Sequence, residues 1–251
     1  MPRKIVSTGR GGTGKSSFVA LITRYLKPPL FLIDLDPDLS LGDMLGVDLE
    51  REGKRTVSEV LYDVIDERKR GKNPLVSVNE RLESLIWSDC LYEGVRFDLI
   101  TLGTKDFEGC YCFPDHLLKK TISGVTKNYT NIIIDSPAGL EHLNRKIVSD
   151  IDDLFVILDP SEKSLKHIER VKDITRAVGI HYNHFYLVAN YMFDEESERY
   201  LQLTGETYLG KIDYDTDVEE YNLKGRSLLE LPPDSPACLA VINILVRARL
   251  V

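Results

Sequence analysis

The chain has 251 residues, of which 43% are hydrophobic and 29% charged, and a formal net charge of −8. This is the composition of an ordinary globular domain, and its longest apolar runs, such as Val241 to Val246, are too short to span a bilayer. An acidic surface is also poorly matched to nucleic-acid phosphates, so neither a nucleic-acid nor a membrane partner is expected.

Lys4-Ile5-Val6-Ser7-Thr8 reads as a first strand with no apolar signal segment before it, which points to a cytoplasmic protein. Gly9-Arg10-Gly11-Gly12-Thr13-Gly14-Lys15-Ser16 follows, matching G-x-x-x-x-G-K-[ST]. In such a loop glycines let successive N–H groups point at phosphates, the lysine adds positive charge and the hydroxyl ligates Mg²⁺. Phe18, Val19, Leu21, Ile22, Tyr25 and Leu26 then recur at helical spacing until Pro28-Pro29. Strand, glycine loop and helix in that order predict nucleoside triphosphate binding through Gly11, Gly12, Thr13, Gly14, Lys15, Ser16 and Ser17.

Leu30-Phe31-Leu32-Ile33-Asp34 is an unbroken apolar run ending in an acid, as a strand buried on both faces reads. Asp34 and Asp36 are either turn-forming acids or, at this edge of a phosphate-loop fold, groups for Mg²⁺ or the attacking water. Residues 43 to 130 form a long excursion. It holds an amphipathic helix around Val57, Val60, Leu61, Val64 and Ile65, capped by Thr56 or Ser58, and a second helix over Asn79 to Tyr92. Between them Arg68, Lys69, Arg70 and Lys72 read as a solvated helix end. A strand over 95–102 precedes Cys110-Tyr111-Cys112, and a helix is predicted from His116 towards Asn128.

Asn131-Ile132-Ile133-Ile134-Asp135 is a second apolar run ending in Asp, and with the glycine loop it meets the requirement for a carboxylate beside phosphate-bound Mg²⁺. Gly139 after it allows close approach to the γ-phosphate. Strands over 154–158, 185–189 and 207–212 alternate with helices over 164–178 and 236–249. The pattern predicts an α/β, three-layer P-loop NTPase fold, its mostly parallel central sheet covered by helices on both faces. No repeat or linker divides it, so residues 1–251 are expected to form a single domain.

Asn190-Tyr191-Met192-Phe193-Asp194 does not fit the Asn-Lys-x-Asp segment of GTPases, which favours ATP. Asn190 is either an amide that reads adenine or a strand-end turn residue. The four cysteines suggest thiols or metal ligands rather than disulfides. By spacing, Cys110 and Cys112 admit two readings, a pair of reduced thiols or two ligands of a soft-metal site completed by a second chain. Cys90 and Cys238 fall in helical patterns and read as packing residues.

The loop at 9–16 resembles the deviant Walker A motif of the MinD/ParA/nitrogenase-iron-protein ATPases, with Arg10 where that group usually has lysine. The resemblance runs along essentially the whole chain. It implies an ATP-clamped homodimer in which Arg10 reaches the nucleotide of the opposite subunit, Asp36 positions water, and Ser16, Asp36 and Asp135 serve Mg²⁺. Asp34-Leu35-Asp36-Pro37-Asp38, Ala138-Gly139-Leu140-Glu141-His142 and Cys110-Tyr111-Cys112 together resemble the CooC-type nickel-insertion ATPases, accessory proteins of carbon monoxide dehydrogenase. That similarity implies an ATPase that assists a client metalloenzyme, with Cys110 and Cys112 sharing Zn²⁺ or Ni²⁺ across the dimer. The rival reading is a MinD/ParA-like ATPase used for nucleotide-gated positioning or partner binding. An iron–sulfur reductase is disfavoured because no cysteine lies between Asp135 and Ser149.

Overall fold

The computed structural model describes residues 1–70, 78–104, 128–138 and 150–251. Their strands are β1 (Arg3–Gly9), β2 (Leu30–Asp34), β3 (Tyr92–Glu93), β4 (Phe97–Thr101), β5 (Asn131–Asp135), β6 (Asp150–Leu158), β7 (His181–Ala189) and β8 (Thr207–Lys211). The helices are α1 (Lys15–Tyr25), α2 (Ser40–Leu45), α3 (Val57–Lys69), α4 (Val78–Leu85), α5 (Glu162–Val178), α6 (Glu195–Leu203), α7 (Thr216–Leu223) and α8 (Pro236–Arg247).

The strands form one sheet in the order β3-β4-β2-β5-β1-β6-β7-β8. All neighbours are parallel except the edge pair, where Tyr92 of β3 lies antiparallel to Leu99 of β4. Every residue of β2 and β5 is buried, as their unbroken apolar runs require. Ile5, Leu32, Ile133 and Phe155 pack on one face with α1, α2 and α8. Val6, Ile33, Ile134 and Val156 pack on the other with α3, α4 and α5. This is the expected three-layer architecture, and the period of two along each strand is what divides the core into its halves.

Several elements depart from the predicted boundaries. The helix expected over Asn79 to Tyr92 stops as α4 and passes through a π-helical turn at Ile86–Cys90, where the Leu91 N–H donates to the Ile86 carbonyl. The chain then turns into β3, with Tyr92 against Phe97 at a ring distance of 5.9 Å. β6 and β7 begin earlier than their apolar runs because their first residues, including Asp152, Asn183 and His184, are polar. Helices α2 and α7 carried no periodic signal: one is six residues long and the other buries none of its side chains.

Thr56 rather than Ser58 caps α3, since its hydroxyl accepts the Glu59 N–H while the Glu59 carboxylate accepts the Thr56 N–H. Arg70 pairs with Asp66, whereas the side chains of Arg68, Lys69 and Lys72 lie outside the described residues. So does most of the helix predicted from His116. Cys90 and Cys238 are buried free thiols, and burial pushes the Cys90 thiol up to about 12. Among the described residues, no helix is long and apolar enough to cross a membrane.

Candidate functional site

β1 ends at Gly9, where a Cβ would stand 2.4 Å from the Ile157 carbonyl oxygen, so only glycine lets the chain leave the sheet here. The loop turns at Gly12 and Gly14, and α1 begins directly at Lys15. Gly14 offers α1 no side-chain cap, and the first turn contains no acid. Helices α5, α6, α7 and α8 are capped by Ser161, Asp194, Asp215 and Ser235. The N–H groups at the start of α1 are therefore left for an anion, with the helix dipole behind them.

Lys15 is buried at this point, and its ammonium donates to the Arg10 carbonyl at 3.1 Å. The Thr13 hydroxyl and N–H converge on the same oxygen at 2.9 and 3.4 Å. Burial lowers the Lys15 pKa, opposed by Asp135 and Asp36. A cation that has given up water in this way gains most from a phosphate.

The parallel register brings the strand-end acids together. Asp135 lies between Ser7 and Asp34, and Asp34 lies between Asp135 and Thr101. Alternation along the strands turns all four side chains towards the α1 face. Both Asp135 carboxylate oxygens, Asp34 Oδ2, Thr101 Oγ1 and Ser7 Oγ are buried without hydrogen-bond partners. Burial lifts the Asp135 carboxyl to about 7, with the nearby Ser16 hydroxyl and Lys15 ammonium opposing. Asp34 is pushed well above the usual carboxylate range by burial and by Asp135. An unpartnered buried carboxylate near a hydroxyl, at the mouth of a phosphate loop, is an all-oxygen donor set that fits Mg²⁺.

Asp36 sits half-buried just beyond. Its N–H donates to Asp34 Oδ1 at 2.9 Å, and its own Oδ1 accepts the Asp38 N–H at 3.1 Å. Asp34 thus positions the segment that carries Asp36. Leu39 in the same segment adopts a left-handed φ of 57°, a strained conformation for a leucine.

A cleft continues from the phosphate loop. Gly12, Thr13, Gly14 and Ser17 line one end, while Asn190, Tyr191, Ile212, Tyr214 and Val218 line the other. Asn190 is 4% exposed; its Oδ1 accepts the Met192 N–H at 3.1 Å, and its Nδ2 is unpartnered. One half of the amide thus makes the strand-end turn, and the other is a buried donor left without a partner at the cleft. The Tyr191 and Tyr214 rings stand 5.4 Å apart at the cleft. Asp215 fixes its floor by accepting the Asp217 N–H at 2.9 Å and the Ala237 N–H at 3.0 Å, which ties the start of α7 to the start of α8.

The Arg10 guanidinium donates to Ser161 Oγ at 3.1 Å and lies 3.9 Å from Asp159, both in the loop between β6 and α5. Neither partner was among the predicted site residues. Their position at the C-terminal end of a parallel strand, where ligands gather in open α/β sheets, was the available signal. The tyrosine pair lies in the loops after β7 and before α7, where no periodic signal marks it. Gly139, Cys110, Cys112 and His142 lie outside the described residues. Among the described residues, no group of three or more His, Cys, Asp or Glu side chains forms a metal cluster.

Fold and loop together define a P-loop nucleotide-binding protein. The AAA domain family profile matches residues 4–185. An uncharacterized ATP-binding protein of Methanocaldococcus jannaschii is 31% identical, covering 92% of each chain. The carbon monoxide dehydrogenase accessory protein CooC of Rhodospirillum rubrum is 27% identical over 98% of this chain and 96% of its own. The cell division protein MinD of Aquifex aeolicus superposes with a TM-score of 0.66 at 22% identity, covering 98% and 97% of the two chains. The chain belongs to this AAA domain family of P-loop proteins; it has the fold of MinD and is similar to CooC along nearly its whole length.

Proposed function

We propose that the protein is a Mg²⁺-dependent, dimerising ATPase that couples ATP binding and hydrolysis to metal insertion in a client metalloenzyme such as carbon monoxide dehydrogenase. The observation that carries the ATPase reading is the buried Asp135 carboxylate, without a partner and flanked by Lys15 and Ser16. Similarity to CooC over nearly the full chain supports the metal-insertion reading.

Lys15 and the N–H groups at the start of α1 hold the phosphates, with Gly12 and Gly14 shaping the loop around them, and Asn190 donates to the base. Ser16 and Asp135 would hold Mg²⁺, with Asp36 beside them, and the ion when bound would supply positive charge to the phosphate oxygens. Asp36 orients water for attack on the γ-phosphorus. The bond to the bridging oxygen breaks, giving ADP, phosphate and a proton. Arg10, supplied from the partner of the ATP-clamped homodimer, stabilises charge developing on the phosphoryl group, in the manner of an arginine finger. Gly139 lets the following segment approach the γ-phosphate. Cys110 and Cys112 of two chains supply four thiolates to one Zn²⁺ or Ni²⁺, which is cargo or a structural ion of the dimer.

Sizing with metal analysis, with and without ATP, tests this. The expected outcome is an ATP-dependent dimer with one metal ion per two chains, the metal lost in Cys110→Ser/Cys112→Ser. A metal content unchanged by that double substitution rejects the metal half of the reading. A single monomeric species with and without ATP rejects the dimer.

A further inference from the structure

The position of Arg10 has a consequence for how a dimer forms. Its two ends are held by different elements. The carbonyl is held within the loop by Lys15 and Thr13, and the guanidinium is held by Ser161 and Asp159 of the same chain. This receiver is itself rigid. Asp159 Oδ1 accepts the Ser161 N–H at 2.8 Å, the Asp159 N–H donates to Ser164 Oγ at 3.1 Å, and Ser161 Oγ caps α5 by accepting the Ser164 N–H at 3.2 Å. The Asp159 side chain is 17% exposed and that of Arg10 is 38% exposed, so the contact is partly screened and can be broken.

We infer that Asp159 and Ser161 are positioning residues for Arg10, holding its guanidinium on its own subunit so that formation of the ATP dimer must compete with them. The inference rests on the reading that Arg10 acts across the dimer. One terminal nitrogen, Nη1, makes both contacts, donating to the Ser161 hydroxyl and lying within ion-pair range of Asp159. The contact does not block nucleotide binding. It raises the ATP or protein concentration at which two chains join, and it returns Arg10 to its own subunit when they part.

Two substitutions shift the contact in opposite directions without removing the surrounding hydrogen bonds. Asp159→Asn keeps an oxygen for the Ser161 N–H but removes the charge. Ser161→Asp keeps a good cap for α5 and adds a charge beside Arg10. The readout is the protein concentration for half-dimerisation at saturating ATP, measured by sedimentation, with the melting temperature of the nucleotide-free chain as control.

Asp159→Asn is expected to lower that concentration about threefold and Ser161→Asp to raise it about fivefold, the range of a partly exposed ion pair. Both shifts should vanish in the Arg10→Ala background. Shifts in the same direction, or shifts that persist without Arg10, overturn the inference. If Arg10→Ala weakens dimerisation while the other two variants match the wild type, the cis contact falls and the role of Arg10 across the dimer stands. If Arg10→Ala dimerises like the wild type, that role falls and the inference with it.

Discussion

Asp153 on β6 and Asp135 on β5 flank β1 on one face of the sheet, opposite Ile5 and Ser7 respectively, and each is 0% exposed. Asp153 is fully answered: Arg3 binds both of its oxygens and His184 approaches one of them at 3.1 Å. Its neighbour Asp152 accepts the Lys4 N–H and the Asn183 amide. Asp135 has no partner on either oxygen. Equal burial with opposite satisfaction separates an acid that holds the fold from one kept for a ligand.

The sharpest way to break this contrast is to substitute both acids. Asp135→Asn should lower ATP turnover about 100-fold or more, since it removes a carboxylate from the ion that neutralises the phosphates. The same change should leave the nucleotide-free chain as stable as before or more so, because an unpartnered buried carboxylate is removed. Asp153→Ala should do the reverse, costing about 2–4 kcal/mol in urea denaturation by leaving Arg3 unpaired, with kcat per folded chain unchanged. Equal stability losses at the two positions would erase the distinction.

A second test uses pH. The folded-state pKa of Asp135 is raised to about 7 from an ordinary 3.8. Between those values the native chain holds a proton that the unfolded chain has lost. Stability of the nucleotide-free protein should therefore fall as pH rises from about 4 to 7, then level off, with a slope of at most about 1.4 kcal/mol per pH unit for one proton. Mg²⁺ requires the ionised form, so Mg·ATP affinity should rise over the same window. Urea midpoints from pH 5 to 8 should lose this component of their slope in Asp135→Asn and retain it in Asp153→Ala.

The smallest effect concerns the base. Asn190→Ala should raise KM for ATP about tenfold with little change in kcat, because one buried donor to the base is lost. A change in kcat alone would mean that the Asn190 amide does not meet the base.

The phosphate loop and both apolar runs ending in Asp were legible because their signals are local. Glycine spacing, a lysine at the start of a helix and an unbroken buried strand each occupy fewer than about ten residues. The base cleft was only half legible. Asn190 stood out at a strand end, but Tyr191, Tyr214 and Val218 join it through the packing of α7 and α8, which Asp215 fixes by one local and one long-range hydrogen bond. The contact of Arg10 with Asp159 and Ser161 spans about 150 residues of sequence and depends on β6 lying beside β1, a pairing that no local pattern encodes. Likewise the partners of Asp153 follow from strand register, since Arg3, Asp153 and His184 come from β1, β6 and β7.

We propose that the loop at residues 9–16 is half of a catalytic site completed by a second chain. The most direct test is ATP hydrolysis per chain, measured over a hundredfold range of protein concentration at saturating Mg·ATP. A shared site gives a specific activity that rises with concentration and saturates as dimers fill, with Lys15→Ala inactive throughout. A specific activity that stays flat across the range, and is still abolished by Lys15→Ala, would mean that one chain carries the whole site.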